Sequence, residues 1–306
     1  MEKNRTVYVI SGPTAVGKSL IAYYLAKRIN GEIVNCDSVQ LYRYMDIGSA
    51  KPSEKEMNTV KHHLYSIANP DETMTVARYK RLALHTIDDI LRRGKTPIVC
   101  GGTGLYLNSI LYDMDFADSN VNEDRRKELE EMAEKNGSEY MHHFLEALDP
   151  KAAARIHPNN TRKVIRAIEA FEFGKGIGDL SSCPMNPNYD FRFFIVNMDR
   201  KWLYERINLR VAKLIKSGLV EEVQSLIRKG YDPSLSSMKG IGYKEIIAYL
   251  NGEYDLVDAR EQIMKNTRHY AKRQLTWLKR YDFANWIEIG KGDTVGGIVD
   301  KILSYK

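Results

Sequence analysis

Residues Gly12-Pro13-Thr14-Ala15-Val16-Gly17-Lys18-Ser19 have the spacing G-x-x-x-x-G-K-S, and nothing else in the chain restricts the fold so tightly. The apolar run Val7-Tyr8-Val9-Ile10 leads into it, and an apolar-periodic segment with Leu20, Ile21, Tyr24, Leu25 and Ile29 leads out. That is the order strand, glycine-rich turn, helix of a phosphate-binding loop. Backbone N–H groups can close around an anion only where no bulky Cβ stands in the way. The helix that follows adds unpaired N–H donors and about half a positive charge at its first turn. Lys18 can then reach an outer phosphate, and the Ser19 hydroxyl can ligate Mg²⁺. A molecule with two or more linked phosphates is expected here; the loop by itself does not say which.

A second short strand is predicted at Glu32-Ile33-Val34-Asn35-Cys36, ending in Asp37-Ser38-Val39-Gln40. Thr75 caps a helix with Val76, Tyr79, Leu82, Ala83, Ile87, Ile90 and Leu91 on a 3.6 period, stopped by Gly94. Pro97-Ile98-Val99-Cys100 reads as a third, buried strand that ends in Gly101-Gly102-Thr103-Gly104. Strands alternating with helices imply a parallel sheet with right-handed crossovers, whose ligands bind at the carboxyl ends of the strands. The fold class is therefore α/β, a P-loop NTPase-like parallel sheet flanked by helices. The phosphate loop, Asp37 and Thr103 should share its rim.

From Asp113 the pattern changes. Residues 122–136 and 138–148 are charge-rich and helical, with further helix at 151–156 and from Thr161 to Phe173. Gly174-Lys175-Gly176-Ile177-Gly178 and the loop Pro184 to Pro187 bound this stretch before Phe191-Arg192-Phe193-Phe194-Ile195-Val196 returns to the sheet. Residues 113–190 thus form a mostly helical insertion, and residues 1–112 with 191–306 form the α/β core. Residues 200–230 and 239–281 read as helical.

Of the 306 residues, 43% are apolar and 28% charged, ordinary for a globular protein large enough for one or two domains. No apolar run approaches the roughly 18 residues of a membrane span. Met1 to Arg5 runs straight into the first strand, leaving no room for a signal peptide. Cys36, Cys100 and Cys183 are odd in number and far apart, so neither a zinc site nor a disulfide framework is expected. A reducing compartment, the cytoplasm, follows. The adjacent pairs His62-His63 and His142-His143 point their rings to different faces and make poor metal sites.

The net charge of +6 is mild, and its placement says more than its total. Arg162, Lys163 and Arg166 lie on one helix of the insertion. Near the C-terminus Lys265, Arg268, Lys272 and Lys279 recur at offsets of three, seven and fourteen, with Arg273 and Arg280 beside them. This stripe carries Tyr270, Trp277 and Tyr281, and interleaved cations and aromatics suit a nucleic-acid backbone with unstacked bases. A solvated helix face remains the plain alternative.

At the rim, Asp37 could hold Mg²⁺ or act as a general base toward a second substrate. The second acid that motor and switch NTPases place at a strand end is missing, because Ile98-Val99-Cys100 runs into Gly101-Gly102. A small-molecule kinase using Asp37 as base stays open on these residues alone.

The ordered set of motifs resembles the tRNA dimethylallyltransferase (tRNA isopentenyltransferase) family over nearly the whole chain. It comprises the Gly12 to Ser19 loop, Asp37-Ser38-Val39-Gln40-Leu41-Tyr42, Met45-Asp46-Ile47-Gly48-Ser49-Ala50-Lys51-Pro52, and His62-His63-Leu64. It continues with Gly101-Gly102-Thr103-Gly104-Leu105-Tyr106, Asp149-Pro150, Arg155-Ile156-His157-Pro158-Asn159 and Arg166-Ala167-Ile168-Glu169. Gly240-Ile241-Gly242-Tyr243-Lys244-Glu245 and Lys272-Arg273-Gln274-Leu275-Thr276-Trp277 close it.

The resemblance implies transfer of a dimethylallyl group from dimethylallyl diphosphate to N6 of adenosine 37 in the anticodon stem-loop of tRNA, by a cytoplasmic monomer. Asp37 then looks like the general base, with Thr103 as a second catalytic residue. Gly12, Thr14, Ala15, Val16, Gly17, Lys18 and Ser19 would hold the diphosphate, with Ser19 on Mg²⁺. Asp37, Ser38, Val39, Gln40, Thr103, Arg125, Arg162, Lys163, Arg166, Lys239, Gly242, Lys244, Lys272, Arg273 and Gln274 fall at positions of tRNA contact, and the stretch around Lys272, Arg273 and Gln274 looks like part of the same tRNA and diphosphate surface. Lys239 stands where the family commonly has Arg and would assist with diphosphate, without the planar two-pronged grip. A prenyltransferase acting on free adenine nucleotides is the close variant, disfavoured by the size of the insertion and the basic helix.

Overall fold

The computed structural model describes residues 5–114, 123–172 and 183–305. Its strands are β1 (Thr6–Ser11), β2 (Gly31–Asn35), β3 (His62–His63), β4 (Thr96–Cys100), β5 (Asp190–Met198) and β6 (Asn285–Ile289). Its helices are α1 (Lys18–Arg28), α2 (Glu54–Thr59), α3 (Val76–Arg92), α4 (Gly104–Leu111), α5 (Glu123–Leu148), α6 (Pro150–Ala153), α7 (Thr161–Glu172), α8 (Arg200–Lys216), α9 (Leu219–Arg228), α10 (Tyr243–Leu250), α11 (Leu256–Leu278) and α12 (Val295–Ser304). The chain divides into two compact units, Met1–Leu111 with Asn186–Lys306 and Tyr112–Met185.

In the first unit all six strands run parallel in the order β3-β2-β4-β1-β5-β6. The inner strands are continuous apolar runs because helices cover both faces: Val7, Val9, Ile10, Ile33, Val34, Ile98, Val99 and Phe193 to Val196 are all buried. At the edges, β3 is only two residues long, and β6 pairs Asn285 to Ile289 with Phe194 to Met198. The order turns back at β1, so the loops after β1, β2 and β4 open onto one crevice.

Side-chain caps start the helices where the sequence offers them. Thr75 accepts from Arg78 N–H, Asp199 from Lys201 and Trp202, Asp255 from Asp258, and Ser53 with Glu56 forms a capping box. Two stretches read as continuous helix are in fact pairs. Residues 200–230 break between α8 and α9 at Gly218 (φ 101°), and residues 239–281 break between α10 and α11 around Gly252 (φ 79°). The left-handed backbone at these glycines ends one helix and re-aims the next. No helix among the described residues is long and apolar enough to cross a membrane.

In the second unit α5 is interrupted at Gly137 (φ 85°, ψ 172°), which separates the two helical segments read from the sequence. The helix expected over 151–156 is the short α6, ending at Ala153. Leu129, Met141, Leu145, Val164, Ile165 and Ile168 form the unit's core. Arg126 grips Glu169 through two hydrogen bonds, tying α5 to α7. Phe173 and the Gly174 to Gly178 segment lie outside the described residues.

Candidate active site

The phosphate loop leaves β1 at Ser11 and enters α1 at Lys18, with Gly17 as the N-cap at φ 107°, a backbone geometry that favours glycine. Ala15 is also left-handed (φ 66°), and its carbonyl accepts a hydrogen bond from Arg206 Nε at 3.0 Å. Lys18 Nζ donates to Pro13 O across the loop at 2.8 Å. Burial pulls the Lys18 ammonium down to about 8, aided by repulsion from Arg210 and opposed by attraction from Asp37. Ser19, at the start of α1, is exposed.

Asp37 follows β2 and closes a tight turn. Its Oδ1 accepts from Val39 N–H at 2.9 Å and Gln40 N–H at 3.3 Å, while its own N–H donates to Asn35 Oδ1. Its second carboxylate oxygen accepts no hydrogen bond among the described residues. Thr103, after β4, reaches the same turn: its Oγ1 accepts from Ser38 N–H at 3.1 Å, and its N–H donates to Cys36 O. On α11, Tyr270 lies beside Thr103, and burial followed by the Asp37 charge holds its phenol well above its ordinary range. The thiols of Cys36 and Cys100 are driven up by burial, Cys100 to about 12, which keeps both neutral.

Sequence reasoning passed over Arg210. It sits on α8 among other basic residues, and burial lowers its guanidinium pKa while the nearby Asp37 opposes the shift. Only packing distinguishes it from Lys213 and Lys216, so the sequence held no local signal. Lys18, Arg210 and Asp37 thus lie within electrostatic reach of one another at the rim.

Other expected site residues behave differently. Gln40 is buried, and its Nε2 donates to Ser49 O and Ala50 O, so it braces the loop and does not face outward. Thr14, expected to hold diphosphate through its backbone or hydroxyl, donates its backbone N–H to Gln274 Oε1 at 2.8 Å. Gln274 is 6% exposed, in contrast to the exposed Lys272 and Arg273 before it. Gly242 caps α10 in a positive-φ conformation and donates to Glu245 Oε2. Lys239 is exposed, and Lys244, also exposed, lies 3.6 Å from Glu245. Gly240 is close to Val39: a methyl group on it would stand 3.8 Å from a Val39 methyl. The 239–244 loop therefore adjoins the Asp37 turn.

Glu222 of α9 fixes this neighbourhood by accepting from the N–H groups of Asp46, Ile47 and Gly48 at 2.7–2.9 Å and from Tyr243 OH at 2.8 Å.

Along α11 and at its C-cap, Lys265, Lys272, Arg273 and Lys279 are exposed and pair with no carboxylate among the described residues. Arg268 donates to Asn208, and Arg273 and Arg280 lie over the rings of Tyr270 and Trp277 at 5.8 and 4.9 Å. In the second unit Arg162, Lys163 and Arg166 are exposed and line a cleft of about 720 Å³ together with Arg126 and Asn160. Arg125, expected to contact tRNA, is engaged internally: it bonds both oxygens of Glu172 and one of Glu128.

No group of three or more His, Cys, Asp or Glu that could hold a metal occurs among the described residues. Ser19 supplies one hard oxygen donor. A cation bound there would complete its shell from substrate phosphate oxygens and water, as suits Mg²⁺.

The sequence pattern of the family described as IPP transferase matches residues 40–281. A tRNA dimethylallyltransferase of Alkaliphilus oremlandii is 49% identical over 301 residues, spanning 98% of this chain and 96% of that protein. One from Clostridioides difficile is 46% identical, spanning 99% and 98%. The crystal structure of a full-length tRNA isopentenylpyrophosphate transferase from Bacillus halodurans superposes with a TM-score of 0.72 at 39% identity, covering 98% of this chain and 96% of that one. A eukaryotic dimethylallyltransferase captured acting on tRNA gives 0.80 at 27% identity, over 93% and 74%.

Proposed function

The chain belongs to the IPP transferase family, and from that premise we propose that it moves a dimethylallyl group from dimethylallyl diphosphate to N6 of adenosine 37 in tRNA, releasing diphosphate. The observation that carries the proposal is the meeting of two cations, Lys18 and Arg210, with one carboxylate, Asp37, at the sheet rim. Cations suit a leaving diphosphate and the carboxylate suits an attacking amine.

The diphosphate sits against the N–H groups that open after Thr14, with Lys18 and Arg210 on its oxygens. As the C–O bond to the dimethylallyl group breaks, these donors neutralise the charge that develops on the leaving group. N6 of adenine bonds to the freed carbon and becomes positive. An adenine amino group is too weak an acid to ionise beforehand, so its proton leaves during attack, when an ordinary carboxylate suffices. Asp37 accepts it. Thr103, bonded to Ser38 N–H, holds the Asp37 turn and presents its hydroxyl beside the base. Ser19 is the chain's ligand for Mg²⁺, which when bound would add charge neutralisation on the diphosphate.

The acceptor is a tRNA and not a free nucleotide because cations are spread well beyond the rim. Lys265, Lys272 and Arg273 on α11 with Lys279 at its C-cap, Lys239 and Lys244, and Arg162, Lys163 and Arg166 in the 113–190 insertion are exposed and suit a phosphate backbone. Drawing adenosine 37 out of its stack costs a few kcal/mol, which such contacts offset. The buried free thiols of Cys36 and Cys100 accord with a cytoplasmic setting, where the chain acts as a monomer.

Release of diphosphate from dimethylallyl diphosphate tests the reading. It is expected only when tRNA is also present, with no phosphoryl transfer from ATP to any small acceptor. ATP-dependent phosphorylation without prenyl transfer would replace this function by a kinase's.

A further inference from the structure

Gln274 follows two exposed cations on α11, yet its carboxamide turns into the fold. Oε1 accepts from Thr14 N–H at 2.8 Å and Nε2 donates to Gly102 O at 3.0 Å. The orientation of the amide is unambiguous, because an N–H must meet oxygen and a carbonyl must meet the NH₂ group. A methyl group on Gly102 would stand 2.3 Å from Nε2 and 3.2 Å from Gly12 O. Glycine there lets the phosphate loop, the turn after β4 and α11 meet at one point.

We propose that Gln274 is a positioning residue for the diphosphate site and makes no contact with tRNA. The inference rests on reading Gly12 to Ser19 as the diphosphate grip, and it gives the neighbours on α11 separate tasks: Lys272 and Arg273 for the acceptor, Gln274 for the donor. A neutral carboxamide is the side chain that can accept from one backbone group and donate to another without adding charge. A glutamate would keep the acceptor but bring negative charge beside an anion site and lose the donor to Gly102. Thr14 N–H is committed to the protein, so the loop entrance is held before phosphate arrives and its remaining N–H groups need less ordering on binding. The same amide anchors Gly102, the residue before Thr103, and so keeps the donor grip in register with the Asp37 turn.

The test compares wild type with Gln274→Met, Gln274→Glu, Gly102→Ala and Lys272→Ala. Inorganic diphosphate with Mg²⁺ is titrated calorimetrically, tRNA affinity is measured over a salt series, and KM is measured for each substrate. Loss of two neutral hydrogen bonds is expected to weaken diphosphate binding and raise the KM for dimethylallyl diphosphate about tenfold in Gln274→Met. The Glu variant should lose more and Gly102→Ala about as much as Met. For all three, tRNA affinity and its salt slope should stay within twofold of wild type, whereas Lys272→Ala should change the tRNA values alone. Unchanged diphosphate affinity in Gln274→Met, or a tRNA salt slope lowered by about one, overturns the inference. Wild type that binds no diphosphate overturns the grip reading itself. Hydrogen exchange on wild type covers variants that do not fold. The Thr14 amide should be protected without ligand and the Gly17 amide only after diphosphate is added; a freely exchanging Thr14 amide overturns the proposal.

Discussion

Arg210 of α8 and Asp37 at the end of β2 lie within electrostatic reach of each other, and no hydrogen bond or ion pair holds the Arg210 guanidinium among the described residues. A half-buried cation without a bonded counterion becomes more stable when an anion arrives. Replacing it should therefore harm substrate binding more than the fold. Arg210→Ala is expected to raise the KM for dimethylallyl diphosphate tenfold or more, about the value of a charged hydrogen bond. Arg210→Lys should recover part of the loss. Steady-state kinetics with tRNA saturating checks this.

Lys18 gives two pH effects of opposite sign. Its ammonium titrates near 8 in the fold and near 10.5 when exposed. Between those values the unfolded chain binds more protons, so Lys18 makes the folded state gain stability as pH rises. Anion binding needs the protonated form, so diphosphate affinity should be full below pH 8 and fall above it, by up to about tenfold per pH unit. Titrations from pH 7 to 9.5 check this, and Lys18→Arg, which cannot lose its proton, should give a flat profile with weaker binding.

Glu32 sits on β2, next to the edge strand β3. Only 1% exposed, it accepts two hydrogen bonds from Arg93 and contacts Lys95 and His63. Arg93 first, then Lys95 and His63, holds its carboxyl far below the usual range, against the cost of burial. The stability it confers is complete above the ordinary carboxylate pKa and is lost as pH falls below it. Glu32→Gln should lower neutral-pH stability by roughly 3 kcal/mol and flatten the acid limb of the melting-temperature curve.

The exposed cations of α11 should behave as phosphate contacts. Lys272→Ala and Arg273→Ala are each expected to weaken tRNA binding across substrates and to lower the slope of log affinity against log salt by about one. An unchanged slope would make this face ordinary solvated surface.

What the sequence disclosed depended on whether the signal was local. Spacing alone located the phosphate loop, and apolar runs located β1, β2, β4 and β5, because inner strands of a parallel sheet must be apolar on both faces. The edge strands escaped: His62–His63 is too short for a pattern, and β6 exposes Glu288 within five residues. Gly218 and Gly252 marked helix ends that were read through. Gln274 was grouped with Lys272 and Arg273 on the family resemblance, although its helical phase with the buried Ala271 and Leu278 already turned it inward. For Arg210 no such clue existed, since its role follows from burial next to residues over a hundred positions away.

The central claim, prenyl transfer with Asp37 as base, is tested by nucleoside analysis of tRNA. Unmodified tRNA is incubated with dimethylallyl diphosphate, Mg²⁺ and either wild type or Asp37→Ala, at protein concentrations above the measured tRNA Kd. Wild type should convert one adenosine per tRNA to N6-dimethylallyladenosine. Asp37→Ala should bind tRNA with little change but react about a hundredfold or more slowly. Wild type that leaves every adenosine unmodified, or an Asp37→Ala variant that turns over bound tRNA at the wild-type rate, would contradict it.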